Sequence, residues 1–181
     1  MGVNSDEVKQ TNEIKLAAPL LDAIDIEDKD ITSDALHTQW EFARYLVEKR
    51  SAHYHFIVKG NQPTLLSDIS FYFQNAKKEP EFVDITPGDH GRIEIRKIWT
   101  TSELNGYLSF PHVEQAFAIE REFTDKKTGK ISHEVAYGIT SRRKGEADAE
   151  RILKTNRGHW SIEICSHAKP YSWYHSNCIN S

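Results

Sequence analysis

Cysteine is scarce in this chain, with two residues in 181. Two thiols cannot build a disulfide framework, so a secreted mini-protein is excluded and a reducing cytosol is the default compartment. No apolar run approaches the roughly 18 residues needed to cross a membrane, and no charged-then-apolar signal segment opens the chain. Glycine and proline number only 9 and 6. With no internal repeat and no low-complexity tract, collagen-like and coiled-coil architectures are excluded as well. What remains is a length suited to one domain, or one domain with a tail. Its residues are 38% hydrophobic, enough for a packed core, and 28% charged.

Net charge is −4 and unevenly spread. Residues 1–34 carry nine acids against three bases, whereas residues 91–157 carry thirteen bases against ten acids. A basic middle permits a polyanionic partner without demanding one.

Residues 1–11 are polar and unpatterned and read as a loose start. From Asn12 to about Asp25, Leu16, Leu20, Leu21 and Ile24 have helical spacing, with Pro19 in the first turn. Ile31–Leu36 reads as a short strand. Thr38 followed three residues later by Glu41 has the capping-box pattern, so a helix is predicted over Thr38–Ser51 with Phe42, Ala43, Leu46 and Val47 as its apolar stripe. Tyr54–Lys59 is a strand, Gly60–Pro63 a turn, and Thr64–Asn75 a helix. Alternation then predicts strands over Arg92–Trp99, Val113–Phe123 and Ile131–Thr140, the last two joined as a hairpin around Gly129. Glu146–Thr155 is helical, and a second helix starts near His159. The order describes a mixed α/β domain with a β-rich, mostly antiparallel insertion over about 80–141.

Two carboxylates stand out. Asp34 ends a predicted strand, the place where α/β sheets commonly set ligand-binding groups. Glu163 lies one turn into a predicted helix. Carboxylates from distant segments that converge suit a hard cation such as Mg2+ or Mn2+, which takes oxygen ligands; on spacing alone, the favoured reading of both is a solvated surface group. In the tail, Cys165, His167, His175 and Cys178 supply four zinc-type donors, but not at the usual spacing, so an aromatic end with incidental thiols is the favoured reading. His53 and His55 read as edge or surface histidines.

The segments NEIKLAAPLLDAIDIEDKDITSDALHTQ, FIVKGNQPTLLSDI, HGRIEIRKIW and RGHWSIE, in that order, resemble the DDE-type insertion-sequence transposases. Within them the chain looks most like the subgroup of the H-repeat-associated proteins, over Asn12 to about Ser166. The resemblance implies a ribonuclease-H-like fold with the β-rich insertion before the last catalytic helix. It also implies metal-dependent cutting and joining of double-stranded DNA at the element's terminal inverted repeats, in a bacterial cytoplasm at the nucleoid. Asp34 in SDALHTQ matches the family's second catalytic aspartate and Glu163 in HWSIE its glutamate, together holding Mg2+ or Mn2+. Lys59, Asn61 and Gln62 of the KGNQ turn become contacts near the site, and Arg92, Arg96 and Arg157 become phosphate contacts, since Arg suits bidentate phosphate recognition. The HGRIEIR arginines are read equally well as a charged strand face paired with neighbours of Glu94. The resemblance also implies self-association, although no segment reads as a dimer interface.

Three departures from the family pattern shape the expectation. The family's first aspartate belongs on a strand upstream of NEI, and nothing before Asn12 supplies one, so the chain reads as the C-terminal part of a longer transposase and as inactive alone. EDKDIT stands where an apolar buried strand belongs; Lys29 and Asp30 in a central strand would cost several kcal/mol if unpaired. The tail over 167–181 diverges, with Pro170 interrupting the expected helix. The other readings are a non-catalytic DNA-binding or interaction remnant, a small zinc-stabilised interaction protein, and a product too eroded to fold stably.

Overall fold

A six-stranded mixed sheet, covered by helices on both faces, organises the chain in the computed structural model. The described residues are 18–33, 35–76, 78–87, 92–125 and 128–167; the side chains at 36, 87, 92, 125 and 159–167 also lie outside the description. The strands are β1 (Asp30–Ser33), β2 (His53–Val58), β3 (Phe82–Pro87), β4 (Arg92–Thr101), β5 (Gln115–Asp125) and β6 (Ile131–Thr140). Their order is β1-β2-β6-β5-β4-β3. β1 and β2 are parallel, and every other pairing is antiparallel. The α/β class expected from the sequence is therefore met, and the β-rich stretch is continuous with the parallel pair because β6 bonds to β2.

Among the described residues, besides a short helical stretch at 18–22, three helices pack on the sheet. α1 (Trp40–Arg44) runs on through a π-helical turn at Tyr45–Lys49, α2 spans Pro63–Asn75 with its proline in the first turn, and α3 spans Ala149–His167. Tyr54, Phe56 and Val58 of β2 point to one side, where they pack with Phe42, Leu46, Leu65 and Ile69 from α1 and α2. On the other side Ile98, Phe117 and Ile119 pack with Ile152 and Leu153 of α3. Period-2 alternation in the strands thus feeds two cores, one per face. Among the described residues no helix is long and apolar enough to cross a membrane.

Four expectations need correction. Thr38 is not an N-cap: it is fully buried and its hydroxyl donates to the Ile57 carbonyl at 2.9 Å, so α1 starts at Trp40 with Gln39 as its cap. The tertiary acceptor in β2 outcompetes the local one. β3 was not foreseen; it is an edge strand whose Val83 and Ile85 stay exposed, so it lacks a buried apolar face. One helix runs from Ala149 where two were expected, with Asp148 Oδ1 accepting from the Arg151 amide at 2.8 Å as a true N-cap. Finally, His55 is buried, stacked on Phe117 at 4.6 Å between centroids, because β2 is an interior strand with both faces covered.

The charged segment before Asp34 is accommodated in two ways. β1 is only four residues long and lies at the sheet edge, leaving Lys29 exposed and outside it. Asp30 is paired on both carboxylate oxygens, by Arg142 Nε and Arg151 Nη2, each at 2.8 Å.

Candidate functional site

The C-terminal end of β1 is where the sequence places its first candidate ligand. β1 ends at Ser33 and a 3-10 turn runs over Ala35–His37; Asp34, between them, lies outside the described residues. The turn is gripped by the KGNQ segment. Asn61 Nδ2 donates to the Ala35 carbonyl at 2.6 Å, and Gln62 Nε2 to the Thr38 carbonyl at 2.9 Å. These two side chains therefore satisfy carbonyls on either side of the turn. Lys59, at the start of the same connection, is exposed.

α3 lies across the opposite face from α1 and touches β1, β2 and β4. The faces of β1 follow from its register. Asp30 pairs with His53 and Thr32 with His55, whose ring stacks on Phe117 and sits 3.4 Å from Asn156 of α3. Asp30 and Thr32 hence share the side of the sheet that α3 covers, as the Asp30–Arg151 ion pair confirms. Burial acts to raise the Asp30 pKa, but the hydrogen bonds and charges of Arg142 and Arg151 outweigh it and hold the carboxyl below its ordinary range. Arg142 also donates to the Asp28 carboxylate at 2.6 Å and to the Asp28 carbonyl, where the chain turns into β1 with φ 56°. Glu163 falls within α3, but its side chain lies outside the described residues, as do those of Cys165 and His167; His175 and Cys178 lie outside them altogether.

The expected phosphate contacts lie farther along the sheet. Arg92 opens β4, with its side chain outside the description. Arg96 and Arg157 are brought together on Asp84, at 3.6 and 2.6 Å. Arg96 also bonds Glu94, and Glu94 bonds Arg121 at 3.0 Å. The basic surplus of the middle region is largely engaged in such pairs: Lys97 with Glu120, Arg143 with Glu114, Lys144 with Glu81 and Lys154 with Glu150. The paired-strand-face reading of Arg96 is the one its geometry matches, whereas Arg157 keeps 44% of its side chain exposed.

Two groups bear on a divalent cation. Ser33 Oγ and His37 Nδ1, on either side of position 34 in sequence, are buried and have no hydrogen-bond partner. Ser33 pairs with Phe56 and the His37 ring lies 6.0 Å from Phe42, so both atoms belong to the α1 side of the sheet and not to the side that Asp30, Thr32 and α3 share. Elsewhere, Glu120, Glu122 and His133 bring one donor atom each within 4.8 Å of one another on β5 and β6. This group fits a magnesium site poorly. An imidazole favours softer metals, and the Lys97 ammonium already stands 3.2 Å from Glu120. Spacing along the chain gives no sign of this trio; cross-strand register, which joins Glu122 to His133, is the signal that brings it together.

No protein-family model matches the chain. The chain is 35% identical over 168 residues to the protein YbfL of Escherichia coli K12, covering 86% of this chain and 42% of YbfL. It is 34% identical over 174 residues to the "H repeat-associated putative transposase YhhI" of the same strain, covering 89% of this chain and 43% of YhhI. An uncharacterised protein from the dhlA 3′ region of Xanthobacter autotrophicus is 32% identical over 104 residues, 56% of this chain and 35% of that one. The chain spans less than half the length of these relatives. The similarity to YbfL and YhhI supports a transposase-like relationship.

Proposed function

We propose that the chain supplies the second aspartate, Asp34, and the glutamate, Glu163, of a DDE-type centre that cuts and joins double-stranded DNA at the terminal inverted repeats of an insertion element. The observation that carries this reading is the pairing of β1 with α3. β1 presents Asp30 and Thr32 to the side covered by α3 and ends one residue before Asp34, while α3 is the helix that includes position 163. The ribonuclease-H-like assignment, the role of the β3–β6 block as an insertion and the bacterial nucleoid setting belong to this proposal.

In it, Asp34 and Glu163 hold Mg2+ or Mn2+. The metal supplies Lewis-acid activation of the attacking oxygen and neutralises charge on the leaving oxygen in an in-line displacement. Asn61 and Gln62 fix the turn after Asp34, so their substitution loosens the carboxylate. Lys59 and Arg157 contact backbone phosphates; Arg96 does so only by giving up a carboxylate partner, and Arg92 lies at the start of the same strand. With two of the three family carboxylates, the 181-residue chain neither cleaves nor joins DNA by itself.

A chimaera tests this. The part of YhhI outside the matched region is joined to this chain in the order it has in YhhI, and the product is assayed for Mn2+-dependent nicking of duplexes that carry the ends of the H-repeat element. Nicking by the chimaera, lost in Asp34→Asn and in Glu163→Gln, is expected, with none from the chain alone. Nicking that survives both substitutions contradicts the assignment of the two carboxylates.

A further inference from the structure

Among the described residues, no helix covers one side of the far half of the sheet. α1 and α2 cover that side as far as the cross-strand row of Trp99, Ala118 and Tyr137, with Ala118 buried. Beyond it the next row reads Val83, Lys97, Glu120, Val135 across β3, β4, β5 and β6. The row after that reads Ile85, Ile95, Glu122, His133. Ile93 of β4, Thr124 of β5 and Ile131 of β6 continue the face. Its outer strands are apolar and open to solvent: Ile85 is 62%, Ile131 53%, Val135 50% and Val83 43% exposed. The other side of the same strands carries the Asp84, Glu94, Arg96 and Arg121 network, so the apolar character belongs to one face. Grouped apolar side chains on a single sheet face call for a cover.

The first open row is a palindrome in chemistry: apolar, positive, negative, apolar. A two-fold axis parallel to the strands and passing between β4 and β5 sets Val83 against the Val135 position of a second copy and Lys97 against its Glu120 position. Each charge then meets its opposite and each valine a valine, which is the self-complementarity a two-fold contact requires. The same axis sets Ile85 against the His133 position of the second copy, Ile95 against Glu122 and Ile93 against Thr124, so these rows add apolar surface from the isoleucines but no second charge pair. We propose that this face is the surface through which two copies of the chain associate, sheet on sheet.

The area sets the strength. Four strands at about 4.8 Å and three outward positions at about 6.8 Å give a footprint near 400 Å² per copy. A stable complex buries roughly 800 Å² per partner, so the dimer is weak, with dissociation in the range of tens of micromolar or above.

Sedimentation velocity over about 2–500 µM tests the inference, with circular dichroism as a check on folding. The wild type is expected to pass from monomer to dimer across that range. Lys97→Glu and Glu120→Lys, each alone, place like charges across the axis and abolish the dimer. Mixing those two variants restores association as a heterodimer, because each charge again meets its opposite in the partner. A Lys97–Glu120 pair that acts only within one chain, where the ions stand 3.2 Å apart, gives no such rescue. Ile85→Lys abolishes the dimer while leaving the monomer folded. A wild type that stays monomeric at 500 µM leaves the face to another occupant and overturns the proposal. So does a mixture that fails to associate, or an Ile85→Lys chain that still dimerises.

Discussion

Gly138 sits where no side chain can follow. It lies in β6 directly opposite Phe117 of β5, and the Phe117 ring lies over it. A Cβ added there would meet Phe117 Cζ at 2.2 Å, Cε2 at 2.5 Å and the Phe56 carbonyl oxygen at 2.7 Å. The Gly138 backbone is not in the left-handed region, so the cost of Gly138→Ala is steric rather than conformational. The ring must retreat by more than 1 Å, yet it is fully buried and His55 stacks against it at 4.6 Å. The carbonyl belongs to the neighbouring strand and cannot rotate away. Overpacking of a dense core costs about 1–3 kcal/mol, and two simultaneous clashes put this case near the top of that range. For a chain of this size that corresponds to a drop in Tm of about 6–12 °C. Urea titration followed by far-ultraviolet circular dichroism measures it. Phe117→Leu in the Gly138→Ala background relieves the ring contact, so the double variant should be less destabilised than the sum of the singles by about 1 kcal/mol or more. A Gly138→Ala chain within about 0.5 kcal/mol of the wild type, or strict additivity in the cycle, refutes the packing argument.

Two further predictions concern stability. Thr38→Asn should be destabilising by about 1–3 kcal/mol in the same titration, because the buried hydroxyl bond to Ile57 is lost; a cap residue would tolerate Asn well, so a neutral result would restore the capping-box reading. The Asp30 carboxyl is held below its ordinary range in the folded chain, so its ion pairs stabilise at neutral pH and fade as pH falls below about 4 toward the lowered value. Asp30→Asn should therefore cost about 1–2 kcal/mol at pH 7 and progressively less in acid. Thermal melts from pH 7 to pH 2.5 check this, and a deficit that does not shrink in acid contradicts it.

Much of the fold was legible where one physical signal dominates. The alternation of Ile131–Thr140 and the apolar spacing behind Pro63 give β6 and α2 almost residue for residue. The losses came where tertiary partners override a local rule. Thr38 has a capping pattern but a better acceptor in β2. Asn156 and Gly158 read as a break between helices, yet Asn156 is buried against His55 and one helix runs through. His53 and His55 disguise a strand that is covered on both faces. Phe82–Pro87 alternates well enough to have been seen, but its acidic surroundings and bounding prolines suggest a loop. Next to the proposed site, the KGNQ segment bonds to the Ala35 and Thr38 carbonyls, contacts that no spacing rule forecasts. Asp34 and Glu163 are proposed through resemblance alone, because isolated carboxylates carry no local signature.

The central claim is that Asp34 and Glu163 share one divalent cation. Fe2+ put in place of Mg2+ and treated with ascorbate and peroxide generates hydroxyl radicals that cut the polypeptide beside the bound metal, and mass spectrometry locates the cuts. The account predicts paired cleavage near residues 34 and 163, suppressed by excess Mg2+ and by Asp34→Asn. Cleavage confined to residues 120–133, around Glu120, Glu122 and His133, would contradict it.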